Sequence, residues 1–175
     1  KEVRTMRIEL DIDALEKTLK DLEKVARDIK SKQVEVGIID GDSELQMKAH
    51  VNEYGATITV TPKMRAWFAY QGYPLKASTT TITIPERSFM RTGQRKAAPK
   101  VKAKAETLLP QVVKASIPVE AFLEVIGDEF AGKIQEHTRS ISSPANAGFT
   151  TERKGSSNPL IDTGHLISKI ESKVK

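Results

Sequence analysis

The sequence contains no cysteine, few aromatic residues and no long apolar run. Because all 175 residues lack a thiol, disulfide bonds, thiolate catalysis and cysteine-based zinc sites are excluded. Aromatic residues make up only 5% of the chain, so the core must consist mainly of Ile, Val, Leu and Ala. No apolar stretch approaches the length of a membrane-spanning helix, and we therefore expect no membrane partner.

Patterns typical of catalytic and metal sites are missing as well. None of the three histidines has a second histidine at metal-ligand spacing, and Asp162 with His165 supplies only two ligands. The sequence has no nucleophile elbow, phosphate-binding loop or His-Glu-x-x-His pair. We therefore expect no catalysis, cofactor, metal or small-molecule substrate. A clustered carboxylate pair in a deep pocket would revive an enzymatic interpretation.

Length and charge are those of one polar, globular domain covering residues 1–175. Charged residues make up 29% of the chain, and the net charge is +5. This modest excess is typical of a soluble surface, and it also suits contact with nucleic acid or an acidic protein.

Helical periodicity is clear in two segments. Residues 11–31 carry apolar residues at steps of three and four, from Ile12 to Ile29, after a capping Asp11 or Asp13. This stripe suits packing against a sheet or another subunit, and we favour the sheet. A second long helix is predicted over residues 118–138, and a short one over 44–52.

Alternating β-branched residues predict several strands. The final one competes with a helical interpretation, whereas short connections predict antiparallel pairing for residues 56–85. The predicted strands are residues 33–39, 56–61, 65–70, 79–84 and 166–174. Between the second long helix and the tail, residues 140–158 are rich in Ser, Gly, Asn and Pro, and this composition predicts a flexible surface loop.

Residues 87–104 form a strongly basic stretch, and Pro99 and Pro110 are expected to limit any continuous helix here. Clustered cations suit phosphate contacts, but only one aromatic residue accompanies them. A solvated helix face, an acidic partner subunit and DNA all remain open as interpretations. The candidate contact patch consists of Arg95, Lys96, Lys100, Lys102 and Lys104.

Two short segments, residues 84–91 and 158–166, have the pattern of turns with anchoring side chains rather than that of a catalytic site. In the first, Arg87 and Arg91 could form forked ion pairs with a neighbouring subunit, or lie in an ordinary turn at a strand end. In the second, Gly164 permits a positive φ beside two capping side chains. The candidate interface residues are Pro85, Arg87, Phe89, Met90, Arg91, Pro159, Leu160, Asp162, Thr163, Gly164 and Leu166.

Four motifs in order carry a family resemblance. They are residues 51–56 (VNEYGA), 61–68 (TPKMRAWF), 84–91 (IPERSFMR) and 159–166 (PLIDTGHL). In this respect the chain resembles the tail-completion and neck proteins of tailed bacteriophages, including the Mu-like virion morphogenesis proteins and the related siphophage tail-component family. It departs from the usual pattern at Ser88, where a second proline is commoner.

The resemblance implies a fold and a role. The fold would be α+β, with a twisted antiparallel sheet of about four to five strands flanked by the two long helices. The role would be that of a non-enzymatic virion protein in the phage neck or tail, assembled in the bacterial host cytoplasm. Expected partners are copies of itself in a hexameric ring and the portal or adaptor, tail terminator or tail tube proteins. The alternative is a basic DNA-binding module acting in phage assembly.

Overall fold

The computed structural model describes residues 11–154 and 156–175 and confirms the α+β class. Helices dominate the described part of the chain. The elements in order are α1 (Ile12–Lys30), β1 (Val34–Ile38), α2 (Ser43–Tyr54), β2 (Ala56–Thr59), α3 (Pro62–Tyr70), β3 (Thr81–Ile84), α4 (Phe89–Val113), α5 (Val119–Ser140), α6 (Gly148–Lys154), α7 (His165–Ser168) and β4 (Ile170–Val174).

The predicted sheet of four to five strands is wrong in size. The described residues form two separate antiparallel pairs, β1 with β4 and β2 with β3. The predicted strand at residues 65–70 is instead part of α3. Thr61 caps that helix by accepting a hydrogen bond from the Met64 amide, and Pro62 occupies the first turn, where its missing N–H is not needed.

Helix α4 contradicts the expected interruption at Pro99, because it continues through both Pro99 and Pro110. Each proline removes a hydrogen bond from the helix, at a cost of roughly 3 kcal/mol. Packing along α5 offsets this cost, since Phe89, Ala97 and Val101 are buried on α4. The α4–α5 pair therefore forms the centre of the core.

The β1–β4 pair covers α5 at close range. A Cβ atom at Gly127 would lie 2.9 Å from both Ser172 of β4 and Val34 of β1. Only a residue without a side chain permits this approach. The main core cluster lies between the α4–α5 pair and the β1–β4 pair. It consists of Phe89, Ala131, Ile134, Leu160 and Ile170.

Helix α1 forms as predicted, with Asp11 accepting from the Ala14 amide at its start. Its predicted target is wrong, because it packs against α4 and α5 rather than onto a sheet. In its C-terminal half, Val25 and Ile29 pack beside a second core cluster of Val112, Phe122 and Leu123. The other half of its apolar stripe remains exposed.

The predictions for the tail and for residues 140–158 are partly correct. The tail strand is correct for β4, but the residues before it form the short helix α7. The predicted loop at residues 140–158 contains the helix α6, which Phe149 anchors. In the part of the chain that the structure describes, no helix combines the length and apolarity needed to cross a bilayer.

Candidate assembly site

The first and third motifs meet where α2 ends and α4 begins. Gly55 ends α2 with a φ of +73°, and a Cβ atom there would lie 3.0 Å from the Glu86 amide nitrogen and the Ile84 carbonyl oxygen. Strand β2 begins directly after Gly55, and its antiparallel partner β3 brings the chain back beside Gly55 at Ile84. The Arg87 amide completes the contact by donating to the Asn52 carbonyl oxygen at 2.7 Å.

Glu53 caps α4 from outside that helix. Its buried carboxylate accepts hydrogen bonds from the Met90 amide at 2.8 Å and the Arg91 amide at 3.0 Å. These amides belong to the first turn of α4, where N–H groups have no partner within the helix. Ser88, the residue at the capping position, donates its hydroxyl to Glu53 at 3.1 Å. A carboxylate is favoured here because it also faces the positive end of the helix dipole.

Arg87 is a buried cation, and all of its hydrogen-bond acceptors among the described residues are neutral. Its Nε donates to the Pro144 carbonyl oxygen at 2.7 Å, and Nη2 donates to the Ala145 carbonyl oxygen at 3.0 Å. Further donation reaches the Oδ1 atoms of Asn52 at 3.2 Å and Asn146 at 3.1 Å. Burial lowers the pKa of Arg87 below its usual value. The guanidinium stays charged, and it ties residues 144–146 to α2.

Arg91 connects the buried carboxylate to the surface. Its Nε lies 2.9 Å from Glu53 Oε1, its Nη2 lies 2.6 Å from Glu86 Oε1, and its guanidinium lies over the Tyr54 ring at 4.6 Å. The hydrogen bond to Glu53 is the main cause that raises the pKa of Arg91. We call Asn52, Glu53, Arg87, Arg91 and residues 144–146 the polar clasp.

The tail motif joins the same region. The Pro159 carbonyl oxygen accepts from Asn146 Nδ2 at 3.4 Å and from Lys154 Nζ at 3.0 Å. Burial is the main cause that lowers the pKa of Lys154. Leu160 lies in the core cluster with Phe89. The tail motif is therefore held against the polar clasp by both polar and apolar contacts.

The second motif builds a neighbouring aromatic cluster. Arg65 of α3 donates to the carbonyl oxygens of the chain between α3 and β3, with Lys76 at 2.9 Å and Thr79 at 2.5 Å. The rings of Trp67 and Tyr73 pack against Phe149 of α6, at centroid distances of 5.8 and 4.7 Å. Helix α6 is thereby attached to α3.

The predicted interface residues divide into enclosed and accessible groups. Arg87, Phe89, Pro159 and Leu160 are buried within the chain itself, so in this conformation they hold the fold rather than face a neighbour. Pro85, Met90, Gly164 and Leu166 are partly buried. Arg91, Asp162 and Thr163 are exposed and remain candidates for contact with another molecule.

The basic patch is only partly available. Lys104 Nζ lies 2.5 Å from a Glu129 carboxylate oxygen, and this contact lowers the pKa of Glu129. Lys102 lies 3.8 Å from Glu106. Among the described residues, the exposed side chains of Arg95, Lys96 and Lys100 are in no salt bridge.

Several residues with central roles were not singled out from the sequence. Glu53 and Arg65 lie within the motifs without a predicted role, and Phe149 lies in a segment predicted to be a loop with few apolar anchors. A signal was present for Glu53 alone, as a carboxylate directly before an aromatic residue and a turn glycine. Nothing local indicates that residues 144–146 would receive Arg87.

The contacts of the polar clasp join segments that are far apart in the sequence. Over residues 11–154 and 156–175, no group of three histidine or carboxylate side chains is arranged to hold a metal ion. The clasp side chains are already committed to one another, which is what a rigid attachment requires. No protein-family model, no curated protein and no solved structure matches this chain.

Proposed function

We propose that this chain is a structural protein of a tailed-phage neck or tail, acting in tail completion or head–tail joining. In this proposal identical copies form a closed, six-membered ring between the portal or adaptor and the tail tube, and the protein carries out no reaction. The four ordered motifs suggest the role. The first, third and fourth of them meet at the polar clasp, and the second builds the neighbouring aromatic cluster.

The observation that carries the proposal is the uncovered apolar surface of α1. Ile12, Leu15 and Leu19 are exposed to 50–60% of their surface, and no residue of this 19-residue helix is buried. Monomers rarely leave a continuous apolar stripe open to water, and such stripes mark protein contacts. Each described strand also has only one hydrogen-bonded neighbour, and edges of this kind are covered by assembly.

The test combines particle composition with assembly state. Electron microscopy of the purified protein, alone and mixed with tails, is expected to show rings of uniform diameter. Mass spectrometry of purified virions is expected to detect the chain as a component. A protein that stays monomeric at all concentrations and never copurifies with particles would contradict the proposal.

A second candidate function is a basic DNA-binding module acting in phage assembly. The specific observation in its favour is the exposed group of Arg95, Lys96 and Lys100 on α4. Since Lys102 and Lys104 already contact carboxylates, fewer cations are available for phosphate than the sequence suggested. We therefore expect weak, non-specific affinity if DNA is bound at all.

Salt titration of DNA binding distinguishes this candidate. If it holds, affinity falls steeply with salt, and substitution of Arg95, Lys96 and Lys100 by Gln reduces the slope by about three. The matched control substitutes Lys17, Lys20 and Lys24 of α1, which are equally exposed, by Gln. Binding that is absent at low salt removes the candidate.

A further inference from the structure

An apolar groove of about 610 Å³ lies between α4 and the edge of β1. Val34 and Val36 of β1 form one wall, and Met90, Ala98 and Val101 of α4 form the other. Residues of α5 form its floor, including Ile126 and Phe130. The groove exists because β1 and β4 cover α5 but leave the adjoining face of α4 open.

The exposed stripe of α1 has the dimensions of this groove. From Ile12 to Leu22 the stripe spans about 15 Å, and the groove wall from Met90 to Lys102 spans about 18 Å at a helical rise of 1.5 Å per residue. Its residues alternate at steps of three and four, Ile12, Leu15, Leu19 and Leu22, with exposures of 42–60%. A narrow seam of this kind packs into a matching groove.

The charges beside the stripe and the groove are complementary. Glu16 and Glu23 flank the stripe on one side and lie seven residues apart, and neither is in a salt bridge among the described residues. On α4, Arg95 and Lys102 also lie seven residues apart, on the helical ridge that includes Ala98. Both pairs are therefore spaced by about 10 Å along their helices.

Pairing of the stripe with itself is disfavoured by the same charges. In an antiparallel pair, the positions of Glu16 and Glu23 would face their own equivalents. In a parallel pair, they would face the positions of Asp11 and Thr18. Neither arrangement offers a cation. The rim of the groove offers Arg95 and also Lys102, whose salt bridge among the described residues is a solvent-exposed contact of 3.8 Å with Glu106 on the same helix.

We propose that the α1 stripe of one copy docks into the α4–β1 groove of a second copy. Glu16 and Glu23 then pair with Arg95 and Lys102 across the contact. Because the two surfaces differ, the contact is head-to-tail, and repetition of such a contact closes a ring when the rotation permits. The proposal rests on the proposed ring function and identifies the subunit contact that it requires.

The absence of cysteine allows a direct test by disulfide trapping. A Leu19→Cys protein is mixed with an Ala98→Cys protein under mild oxidation, and any disulfide must join the introduced thiols because the chain has no other. We expect this mixed dimer to form at least about tenfold faster than a mixture of Lys17→Cys with Ala98→Cys. Lys17 is the matched control, since it lies on α1 almost opposite the stripe.

Charge reversal gives a second, independent readout. Glu16→Lys with Glu23→Lys should weaken self-association about tenfold, and Arg95→Glu with Lys102→Glu should do the same. All four substitutions in one chain should restore it, because both sides of the contact are then reversed. Lys17→Glu with Lys24→Glu, at the same spacing on the opposite face of α1, should have no effect.

Three results would overturn the proposal. Preferential Leu19→Cys homodimers would show that the stripe pairs with itself. An Ala98→Cys thiol shielded from maleimide in dilute monomer would show that the same chain fills the groove. Equal trapping of Lys17→Cys and Leu19→Cys would show that the stripe does not dock there. Rings that form normally despite any of these results would overturn this contact while leaving the proposed function intact.

Discussion

Two ionisable side chains, Glu53 and Arg87, are buried where α2 meets the start of α4, with 5% and 4% of their surface exposed. The hydrogen-bonding groups of both side chains are occupied by partners from other segments of the chain. Glu53 replaces the capping group that α4 lacks, and Arg87 holds residues 144–146. At the scale of residues, polar groups inside this protein therefore specify where segments attach.

Glu53→Gln tests the capping role. The amide has one oxygen in place of two and cannot pair with Arg91 as an anion, so we expect the free energy of unfolding to fall by about 2–3 kcal/mol. Urea denaturation would measure the change. Glu44→Gln is the matched control, because Glu44 lies on the same helix with 68% of its side chain exposed. Equal shifts in the two variants would contradict the assigned role.

At the scale of elements, α5 is the surface on which the rest is assembled. It contacts α1, α4, α7, β1 and β4. Two of its glycines differ in what surrounds them. Gly127 faces the β1–β4 pair at 2.9 Å, whereas nothing lies within 4 Å of the position of a Cβ atom at Gly132.

Alanine at these two positions should have opposite effects. Gly127→Ala forces Ser172 or Val34 to move, and we expect it to destabilise the protein by about 1–3 kcal/mol. Gly132→Ala meets no obstacle and improves helix propensity, so it should stabilise by up to about 1 kcal/mol. Thermal melts of both variants provide the measurement. Two changes of the same sign would rule out this view of the α5–sheet contact.

One aromatic side chain, Phe149, makes the ring contacts that attach helix α6 to α3. Phe149→Ala removes the ring that packs against Trp67 and Tyr73, at a cost of about 1 kcal/mol. Trp67 is the only tryptophan, so its emission should shift to longer wavelength as water replaces the ring. Glu152→Ala, an exposed change on the same helix, should leave the spectrum unchanged. An unaltered emission maximum in Phe149→Ala would mean that α6 is held by other contacts.

The elements that sequence predicts well are those whose signals are local. Helix α1 was predicted from its stripe and from a cap at Asp11 or Asp13, and antiparallel pairing within residues 56–85 was predicted from alternation and short connections. Residues 65–70 were wrongly predicted as a strand. The β-branched residues before them favour strands, but Thr61 and Pro62 form a helix cap that starts α3. Helix α4 was misjudged because its prolines are offset by packing on α5, which a local pattern does not show.

The candidate site was less predictable than the fold. Its motifs were located, but three of the partners of Arg87 lie 57 to 59 residues later in the chain, and the fourth, Asn52, lies 35 residues earlier. Carbonyl acceptors carry no sequence signature, because every residue has one. The expected forked pairs of Arg87 with carboxylates could therefore not be distinguished from the observed contacts until the segments were placed together.

At the scale of the whole molecule, the pH dependence of stability is linked to the environment of His137. This side chain lies on α5 beside Lys96 of α4, with the ring nitrogen Nδ1 3.4 Å from Lys96 Nζ. Burial first, and Lys96 second, lower the pKa of His137 from its ordinary 6.5, while Glu53 acts in the opposite direction. The folded protein therefore takes up this proton at lower pH than the unfolded chain does.

A pH dependence of stability follows, with a definite sign. As pH falls through 6.5, the unfolded chain binds the proton before the folded chain does, so the unfolding free energy decreases. We expect His137→Gln to reduce this loss between pH 7 and pH 5, measured by urea denaturation across the range. The exposed His50 on α2, replaced by Gln, serves as the comparison. Identical pH profiles for wild type and His137→Gln would contradict the prediction.

In the contact between Arg65 and the following loop, the donor is a side chain and the acceptors are main-chain oxygens, so substitutions are tolerated differently at the two partners. Within the described part of the chain its guanidinium donates to main-chain oxygens alone, those of Leu75, Lys76, Ala77 and Thr79. Those four positions can change identity without losing an acceptor, while position 65 has no substitute that offers the same fork of donors. Descendants of this sequence should therefore diversify in the loop and stay invariant at the arginine that holds it.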